Sequence, residues 1–217
     1  MYLPAHFEET RTDVLHALIR SHPLGTLITL DAGGAPQANP IPFLIEPGPG
    51  VHGTLRGHVA RANPLWRETR GDVDALVVFQ GAQSYISPGW YPAKAEHGKV
   101  VPTWNYVVVQ ARGRLRAIDD EAWVRALVTR LTDRFEAAQS RSWAVADAPA
   151  DYIATMLRAI VGIEIELGSL VGKWKVSQNR SAADRKGVAA GLAALAAQGN
   201  DAQAAAMAAE VASRAAP

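Results

Sequence analysis

The longest strand pattern of the chain runs from Thr103 to Ile118, and it limits the folds open to the sequence more than any other feature. Apolar residues alternate along one side of the segment, whereas Arg112, Arg114 and Arg116 share the other side with Val108. A strand of this length in a domain of modest size is expected to bend around a barrel, where interior and exterior positions alternate. The pattern therefore predicts a β-barrel.

The other segments predict an α+β fold around this strand. A helix pattern ends before Pro23, strand patterns follow, and helix patterns then precede a last strand and an alanine-rich tail. Pro40 and Pro42 suit an edge or bulged strand and not a central one. No strand-helix-strand alternation occurs, which argues against a Rossmann arrangement. The strand patterns cover residues 26–30, 38–45, 53–59, 75–80 and 160–167, and the longer helix patterns cover residues 119–138 and 149–158.

Composition excludes several kinds of chemistry. The 217 residues include no cysteine, so disulfides, thiolate catalysis and Cys-ligated metal sites are absent. A net charge of +1 gives no global reason to bind nucleic acid, and the six histidines lack the spacing of a dedicated metal site. The sequence shows neither a secretory signal nor a window that could span a bilayer. We therefore expect a cytoplasmic location, no metal and no membrane partner.

The alanine-rich tail predicts a division of the chain into two parts. A domain is expected over residues 1–180, and a helical extension over residues 181–217 is expected to pack on the barrel or on a partner subunit. Gly199 and Asn200 divide the extension into two segments that superficially resemble a helix-turn-helix. The second segment has Arg214 as its only basic residue, which is poor for approaching DNA phosphates. The sequence thus contains no convincing DNA-reading element.

Residues 172–180 read GKWKVSQNR and bring cations, amides and an indole into one short run. In extended geometry Trp174 packs inward, whereas Lys173 and Lys175 share the opposite face and point towards an anion or solvent. Lysine supplies a point charge, and the amides both donate and accept hydrogen bonds. The run therefore predicts a site for an anion and a flat polar ring. The alternative is a solvated edge strand whose lysines discourage edge-to-edge pairing.

A second group of candidate residues follows the third strand pattern. The chain lacks both the glycine-rich dinucleotide loop and the Walker loop, so a mononucleotide would need side chains from strands and loops. Arg56, His58 and Arg61 supply such groups. Arg61 offers a bidentate pair to a terminal phosphate, and Asn63 offers a cap for the short helix that follows. The alternatives are a buried histidine bonded to backbone at His58 and a surface ion pair at Arg61.

Five segments carry a family resemblance. They read MYLPAHFEE at the start, HPLGTL from His22, LRGHVARANPLW from Leu55, YISPGWY from Tyr85 and VVPTWNYVVV from Val100. In this order they resemble the PaiB-type FMN-binding negative transcriptional regulators, and the resemblance extends to about Gly191. It implies a split β-barrel related to pyridoxamine-phosphate oxidases, FMN as the cofactor, and a homodimer with flavin sites at the subunit interface.

The resemblance also implies which residues contact the flavin. Backbone groups along the flavin ring are expected from Asn39, Pro40 and Ile41. Contacts with the ribityl phosphate are expected from His58, Val59, Arg61 and Asn63. The residues expected to close the site, some of them from the second subunit, are Trp104, Asn105, Lys175 and Gln178.

Two functions follow from these expectations. The family name implies negative regulation of transcription, through the flavin state, through a protein partner or through DNA. The alternative is an FMN-dependent oxidoreductase that acts on a small molecule with reduced nicotinamide nucleotide as electron donor, because related barrels oxidise or reduce small molecules. No residue can be named as a proton donor from the sequence, so the sequence does not decide between regulator and enzyme.

Overall fold

The computed structural model describes residues 1–48, 50–199 and 202–214, and the predicted α+β class is confirmed. Within these residues eight strands form one sheet. They are β1 Glu8–Glu9, β2 Leu24–Leu30, β3 Pro36–Pro42, β4 Leu44–Glu46, β5 Thr54–Ala60, β6 Ala75–Ile86, β7 Thr103–Ile118 and β8 Ile160–Lys175.

The strands lie in the order β3-β2-β6-β7-β8-β5-β4, and β1 pairs with β8. The pairs of β2 with β3 and with β6, and of β5 with β4 and with β8, are antiparallel. β3 lies at one end of this order. An edge position leaves one side of the strand without ladder bonds, and this explains how β3 accommodates Pro40 and Pro42, which have no backbone N–H.

Strand β7 has the bounds predicted from its alternation, whereas β6 and β8 are longer than predicted. β6 continues past Gln80 to Ile86, and β8 continues past Leu167 to Lys175. Both extensions contain glycine and polar residues, which weaken a hydrophobic alternation without ending the strand. The run around Trp174 therefore belongs largely to the last strand of the sheet.

The described residues also form seven α-helices, none of which is both long and apolar enough to cross a membrane. The side chain of Asp120 caps α4 by accepting from the Trp123 amide at 2.7 Å. The hydroxyl of Ser181 caps α6 by accepting from the Asp184 amide at 3.1 Å. The helices are α1 Thr12–Ser21, α2 Leu65–Glu68, α3 Ala93–His97, α4 Glu121–Glu136, α5 Ala150–Arg158, α6 Ala182–Ala197 and α7 Ala202–Ser213.

The chain divides into two compact units. The first unit comprises Met1–Leu15, Gln80–Val109 and Val171–Pro217, and the second comprises His16–Phe79 and Gln110–Leu170. The boundary expected near residue 180 stays a prediction. Within the predicted extension, Asn200, Asp201 and residues 215–217 lie outside the described residues.

The second unit has a core of aliphatic and aromatic side chains. Phe43 and Phe79 are buried and meet edge to face, with ring centroids 6.1 Å apart. Next to the core, Arg56 donates to Glu46 at 2.5 Å and to Glu164 at 2.7 Å. A separate apolar cluster joins α4 and α5 and contains Val124, Val145, Ile153 and Leu157.

The first unit packs the end of β8 with helices α6 and α7. Trp174 is 2% exposed, so its predicted inward orientation is confirmed. Its indole Nε1 donates to Glu210 at 3.1 Å. Trp90 lies against α6 where a Cβ on Gly191 would come within 2.4 Å of the Trp90 ring, so only glycine fits at that position.

Candidate functional site

The eleven residues predicted to contact the cofactor fall into two groups. Seven belong to the second unit, namely Asn39, Pro40, Ile41, His58, Val59, Arg61 and Asn63. Four belong to the first unit, namely Trp104, Asn105, Lys175 and Gln178.

A cleft of about 520 Å³ opens in the second unit beside the loop that follows β5. The side-chain amide of Asn63 donates to the side-chain oxygen of Asn39 at 3.0 Å, and both residues line the cleft. The structure therefore brings together two of the predicted residues, which come from β3 and from the loop after β5. The other polar residues of the lining are Thr29, Asp31, Gln37, Glu68 and Thr69.

The cleft is acidic and rich in uncharged hydrogen-bonding groups. It contains the carboxylates of Asp31 and Glu68, and its described lining contains no lysine or arginine. A hydrogen bond from the Ala35 amide lowers the pKa of Asp31, so this carboxylate is ionised at neutral pH. Thr69 Oγ1 is buried and has no hydrogen-bond partner in the described part of the chain. The cleft thus suits hydroxyl and amide groups better than a phosphate.

The loop after β5 is held in place by its own hydrogen bonds. The side-chain oxygen of Asn63 accepts from the Leu65 amide at 2.9 Å, which confirms the predicted cap at the start of α2. The indole of Trp66 donates to the Arg61 carbonyl at 3.0 Å. These bonds hold the edge of the cleft rigid before a ligand binds. Binding therefore costs less conformational entropy than it would at a mobile loop.

Arg61 forms an ion pair in this structure. Its two terminal nitrogens donate to the Asp119 carboxylate at 2.8 and 2.6 Å, and its Nε donates to the Arg158 carbonyl at 2.7 Å. The hydrogen bonds from Arg61 lower the pKa of Asp119. The surface ion pair considered from the sequence is therefore present, and Arg61 could bind a phosphate only by exchanging or sharing Asp119.

His58 is mostly buried and supplies a free ring nitrogen. Its Nδ1 is buried without a hydrogen-bond partner among the described residues. The alternative of a bond to the backbone therefore does not hold for this atom. Burial lowers the pKa of His58, so the imidazole is neutral at pH 7. Ile41 and Val59 are buried, and Pro40 is exposed on β3. These three residues can contribute backbone groups and apolar contact to a ligand.

In the first unit, Trp104 and Tyr85 form an exposed aromatic pair. Trp104 is 54% exposed, and the two rings meet edge to face with centroids 6.2 Å apart. Both line a mainly apolar cleft of about 490 Å³, together with Trp90 and Leu195. An exposed indole at a concave surface can stack on a planar ligand.

Two lysines of β8 lie on the same side of the first unit as Tyr106. Lys175 Nζ donates to Thr103 Oγ1 at 2.6 Å and to the Trp104 carbonyl, and Lys173 Nζ donates to the Tyr2 carbonyl at 3.0 Å. Their ammonium groups lie 5.8 and 5.2 Å from the centre of the Tyr106 ring. The shared face is thus confirmed. Lys173 is only 6% exposed, so of the two expected surroundings, an anion or solvent, solvent is excluded for this residue.

Asn105 and Gln178 stabilise the turn that follows β8. Asn105 is 1% exposed, and its side chain donates to Ser177 Oγ at 2.9 Å. Gln178 accepts from the Val176 amide at 2.8 Å and donates to the Trp174 carbonyl at 2.5 Å. Ser177 has φ of 70°, a left-handed conformation that non-glycine residues seldom adopt. The two amides therefore hold a strained turn, and their predicted contact with the cofactor stays a prediction.

Sequence reasoning missed most of the polar cleft. Thr29, Asp31 and Gln37 come from the β2–β3 hairpin, and Glu68 and Thr69 come from the end of α2. In the sequence Asp31 lies next to the Gly33–Gly34 turn, and aspartate is a common turn residue with no further role. The turn is a local signal of the β2–β3 hairpin, but the packing that brings Asp31 and Asn63 to one cleft has none.

The chain matches known proteins over most of its length. A family model described as "Putative FMN-binding domain" matches residues 1–169. An uncharacterized protein of Emericella nidulans is 34% identical, over 88% of this chain and 90% of that protein. The Bacillus subtilis protein named protease synthase and sporulation protein PAI 2 is 29% identical, over 85% of both chains.

Solved structures share this fold at low sequence identity. The flavocytochrome Anf3 from Azotobacter vinelandii superposes with a TM-score of 0.56 and 15% identity, covering 77% of this chain and 69% of that chain. This likeness is one of fold alone, and the predicted split β-barrel is confirmed.

Proposed function

The chain belongs to the FMN-binding domain family whose model it matches, and we propose that it is an FMN-dependent negative regulator of transcription. FMN is its cofactor. The resemblance to PaiB-type regulators is confirmed by the relative from Bacillus subtilis. That relative is named for protease synthesis and sporulation, two processes that depend on gene expression, and its name supports the regulatory part of the proposal.

The observation that carries the proposal is the amide pair of Asn39 and Asn63 at the edge of the polar cleft. A flavin offers a polyol chain and a ring edge with both donors and acceptors, and such groups match amides and hydroxyls. Thr69 Oγ1 belongs to the cleft lining and is buried without a partner in the described residues, so a bound cofactor can satisfy a polar atom that is otherwise unpaired. These residues fit the flavin.

The phosphate of the cofactor is assigned to Arg61 and not to the cleft. Asp31 and Glu68 repel an anion within the cleft, whereas Arg61 precedes the cleft residues Ala62 and Asn63 in the chain. A phosphate dianion can replace the Asp119 carboxylate as the bidentate partner of this guanidinium. Val59, Ile41 and Pro40 complete the proposed group through backbone and apolar contacts.

We propose that regulation acts through the flavin state or through a protein partner. Binding of DNA by the alanine-rich tail is not part of this proposal. Arg214, the basic residue of the second tail segment, donates to Glu9 and lies 4.8 Å from the centre of the Trp174 ring. Its charge is therefore compensated inside the first unit. A cation that is paired in this way contributes little to the attraction of DNA phosphates.

A genetic test links the flavin to regulation. Loss of the gene should raise a set of transcripts, and re-expression of the wild-type protein should lower them again. Re-expression of a variant with weakened FMN binding, such as Arg61→Ala, should lower them less than the wild type does. Equal repression by the variant and the wild type would contradict the proposal.

The open aromatic cleft of the first unit favours a second candidate, an FMN-dependent oxidoreductase. Trp104 and Tyr85 leave room for the ring of a small molecule or a nicotinamide. Bound FMN would supply one-electron and two-electron transfer, and the protein would position the reacting molecule. Titration of the FMN-loaded protein with reduced nicotinamide nucleotide under air separates the candidates. Steady oxidation of the nucleotide requires an enzyme, whereas a regulator should show none.

We also propose that the protein is a homodimer. The exposed Trp104 and Tyr85 present aromatic surface of the kind that subunit interfaces cover, and members of related barrels pair in this way. Light scattering at micromolar concentration should give twice the mass of 23.2 kDa. A monomer mass would refute the dimer, and any contribution of a second subunit to the flavin site would be refuted with it.

A further inference from the structure

The polar cleft of the second unit contains two carboxylates from neighbouring elements. Asp31 follows β2 and Glu68 ends α2, and both residues line the cleft. The Arg70 amide donates to the Leu30 carbonyl at 3.0 Å, so the chain after α2 is fastened beside the end of β2. This backbone bond keeps the two carboxylates at one cleft.

The β2–β3 hairpin holds Asp31 in its ionised form. The two carboxylate oxygens accept from the Ala35 amide at 2.9 Å and from the Gln37 side chain at 3.3 Å. The bond from Ala35, supported by that from Gln37, lowers the pKa of Asp31. The carboxylate therefore keeps its negative charge in neutral solution.

The arginines near the cleft in the sequence are engaged with other groups and are absent from its described lining. Arg61 pairs with Asp119 at 2.6 Å, and Arg70 pairs with Asp72 at 2.5 Å. The guanidinium of Arg67 lies over the neighbouring indole ring, 4.2 Å from its centre. The negative charge of the cleft is thus not neutralised by a cation of its described lining.

The oxidised and reduced forms of a flavin differ in charge. The oxidised ring system is uncharged. Addition of two electrons and one proton, which a reduced nicotinamide nucleotide supplies together as a hydride, leaves one negative charge on the ring system. Carboxylates beside the ring disfavour this added charge, and charge near the ring is one means by which a protein tunes a flavin.

We propose that Asp31 and Glu68 make the cleft select oxidised FMN over reduced FMN. The inference rests on the proposed function, since it takes the flavin ring to lie in this cleft beside Asn39. Reduction then weakens binding, and FMN leaves the reduced protein more readily than the oxidised protein. The flavin state thereby controls how much of the regulator carries its cofactor.

The midpoint potential of bound FMN tests this inference, because it reports the ratio of the affinities for the two forms. The phosphate carries the same charge in both forms, so its contribution cancels from the ratio. FMN-loaded protein is reduced stepwise by dithionite without oxygen, in mildly alkaline buffer, beside a reference dye. We expect a potential at least about 30 mV below that of free FMN, the value that corresponds to tenfold weaker binding of the reduced form.

Two variants of similar shape each remove one charge from the cleft. Asp31→Asn and Glu68→Gln should each raise the potential of bound FMN towards that of free FMN, and the double variant should raise it further. Asp133→Asn is the matched control, because it removes an exposed carboxylate of α4 that lies outside the cleft lining. It should show the potential of the wild type, since solvent and salt screen its charge.

A bound potential equal to or above that of free FMN would overturn the inference, as would an unchanged potential in both cleft variants. The affinity for oxidised FMN, measured by flavin fluorescence, separates this inference from the proposed function. Tight binding of oxidised FMN without a lowered potential contradicts the inference alone. Failure of the wild type to bind oxidised FMN refutes the proposed function and the inference with it.

Discussion

The side-chain amide of Asn63 donates to the side-chain oxygen of Asn39 over 3.0 Å, and this bond joins the loop after β5 to the edge strand β3. The two residues are 24 positions apart in the chain. The same asparagine caps α2 through its other side-chain atom. One residue therefore fixes both the edge of the polar cleft and the start of the helix beside it.

The pair of asparagines should act together on FMN. We expect Asn39→Ala and Asn63→Ala each to weaken FMN binding. The double variant should lose less binding free energy than the sum of the two single losses, because each single change already breaks the shared bond. Coupling of roughly 0.5 to 3 kcal/mol is typical of residues in contact. Titration of the three variants with FMN, followed by flavin fluorescence, gives the coupling free energy.

Asn179→Ala is the matched control for these variants because it removes an exposed amide of the other unit. It should bind FMN like the wild type. Asn63→Ala should also lower the free energy of unfolding by about 1 kcal/mol through loss of the cap. If neither asparagine affected FMN binding, the cleft would not be the flavin site, and additive losses would mean that the bond between them does not couple their contributions.

The alternation of side chains was sufficient to predict much of the fold and part of the site. It predicts the bounds of β7 and the inward position of Trp174, because a strand with one buried face shows a period of two in its sequence. It also places Lys173 and Lys175 on one face. It does not show what covers that face, since the Tyr2 carbonyl that binds Lys173 lies 171 positions away.

Two tryptophans provide a direct comparison of core and surface in the first unit. Trp174 is 2% exposed and Trp104 is 54% exposed. Trp174→Ala should lower the free energy of unfolding by about 3 to 5 kcal/mol, because it removes a large buried ring. Trp104→Ala should lower it by no more than about 1.5 kcal/mol, the scale of one aromatic pair. Urea unfolding of flavin-free protein measures both, and equal losses would mean that Trp104 is structural and not a ligand contact.

Glu9 should make stability depend on pH in acid. Hydrogen bonds from Arg11, and further bonding and charge from Arg214, lower its pKa from 4.5 to about 2 despite burial. A lowered pKa stabilises the folded state above pH 4.5, and this contribution disappears as the pH falls from about 4.5 to about 2. The shift corresponds to roughly 3 kcal/mol.

The variant Glu9→Gln should therefore lose stability at neutral pH and show a shallower decline between pH 5 and pH 2 in urea unfolding. Glu8→Gln is the control, because Glu8 is exposed and forms no ion pair in the described structure. Parallel declines for wild type and Glu9→Gln would show that the pairs of Glu9 with Arg11 and Arg214 do not stabilise the fold.

The polar groups of the cleft illustrate why the rest of the site could not be read from the sequence. Asp31 and Glu68 belong to a turn and a helix end, where carboxylates are ordinary solvated residues. Only the pairing of β2 with β3 and the folding of α2 bring them to one cleft. Likewise, the partner of Arg61 is Asp119, 58 positions away, and an ion pair between such distant residues has no local pattern.

The affinity of Arg61→Ala for FMN tests the central claim most directly. In a fluorescence titration we expect the wild type to bind FMN and Arg61→Ala to bind it roughly one to two orders of magnitude more weakly, since a charge-assisted bond to the phosphate is lost. Asp119→Asn, which frees Arg61 from its ion pair, should bind at least as tightly as the wild type. Equal affinity of Arg61→Ala and the wild type would contradict the assignment of the phosphate to Arg61 and, with it, the flavin site proposed in the second unit.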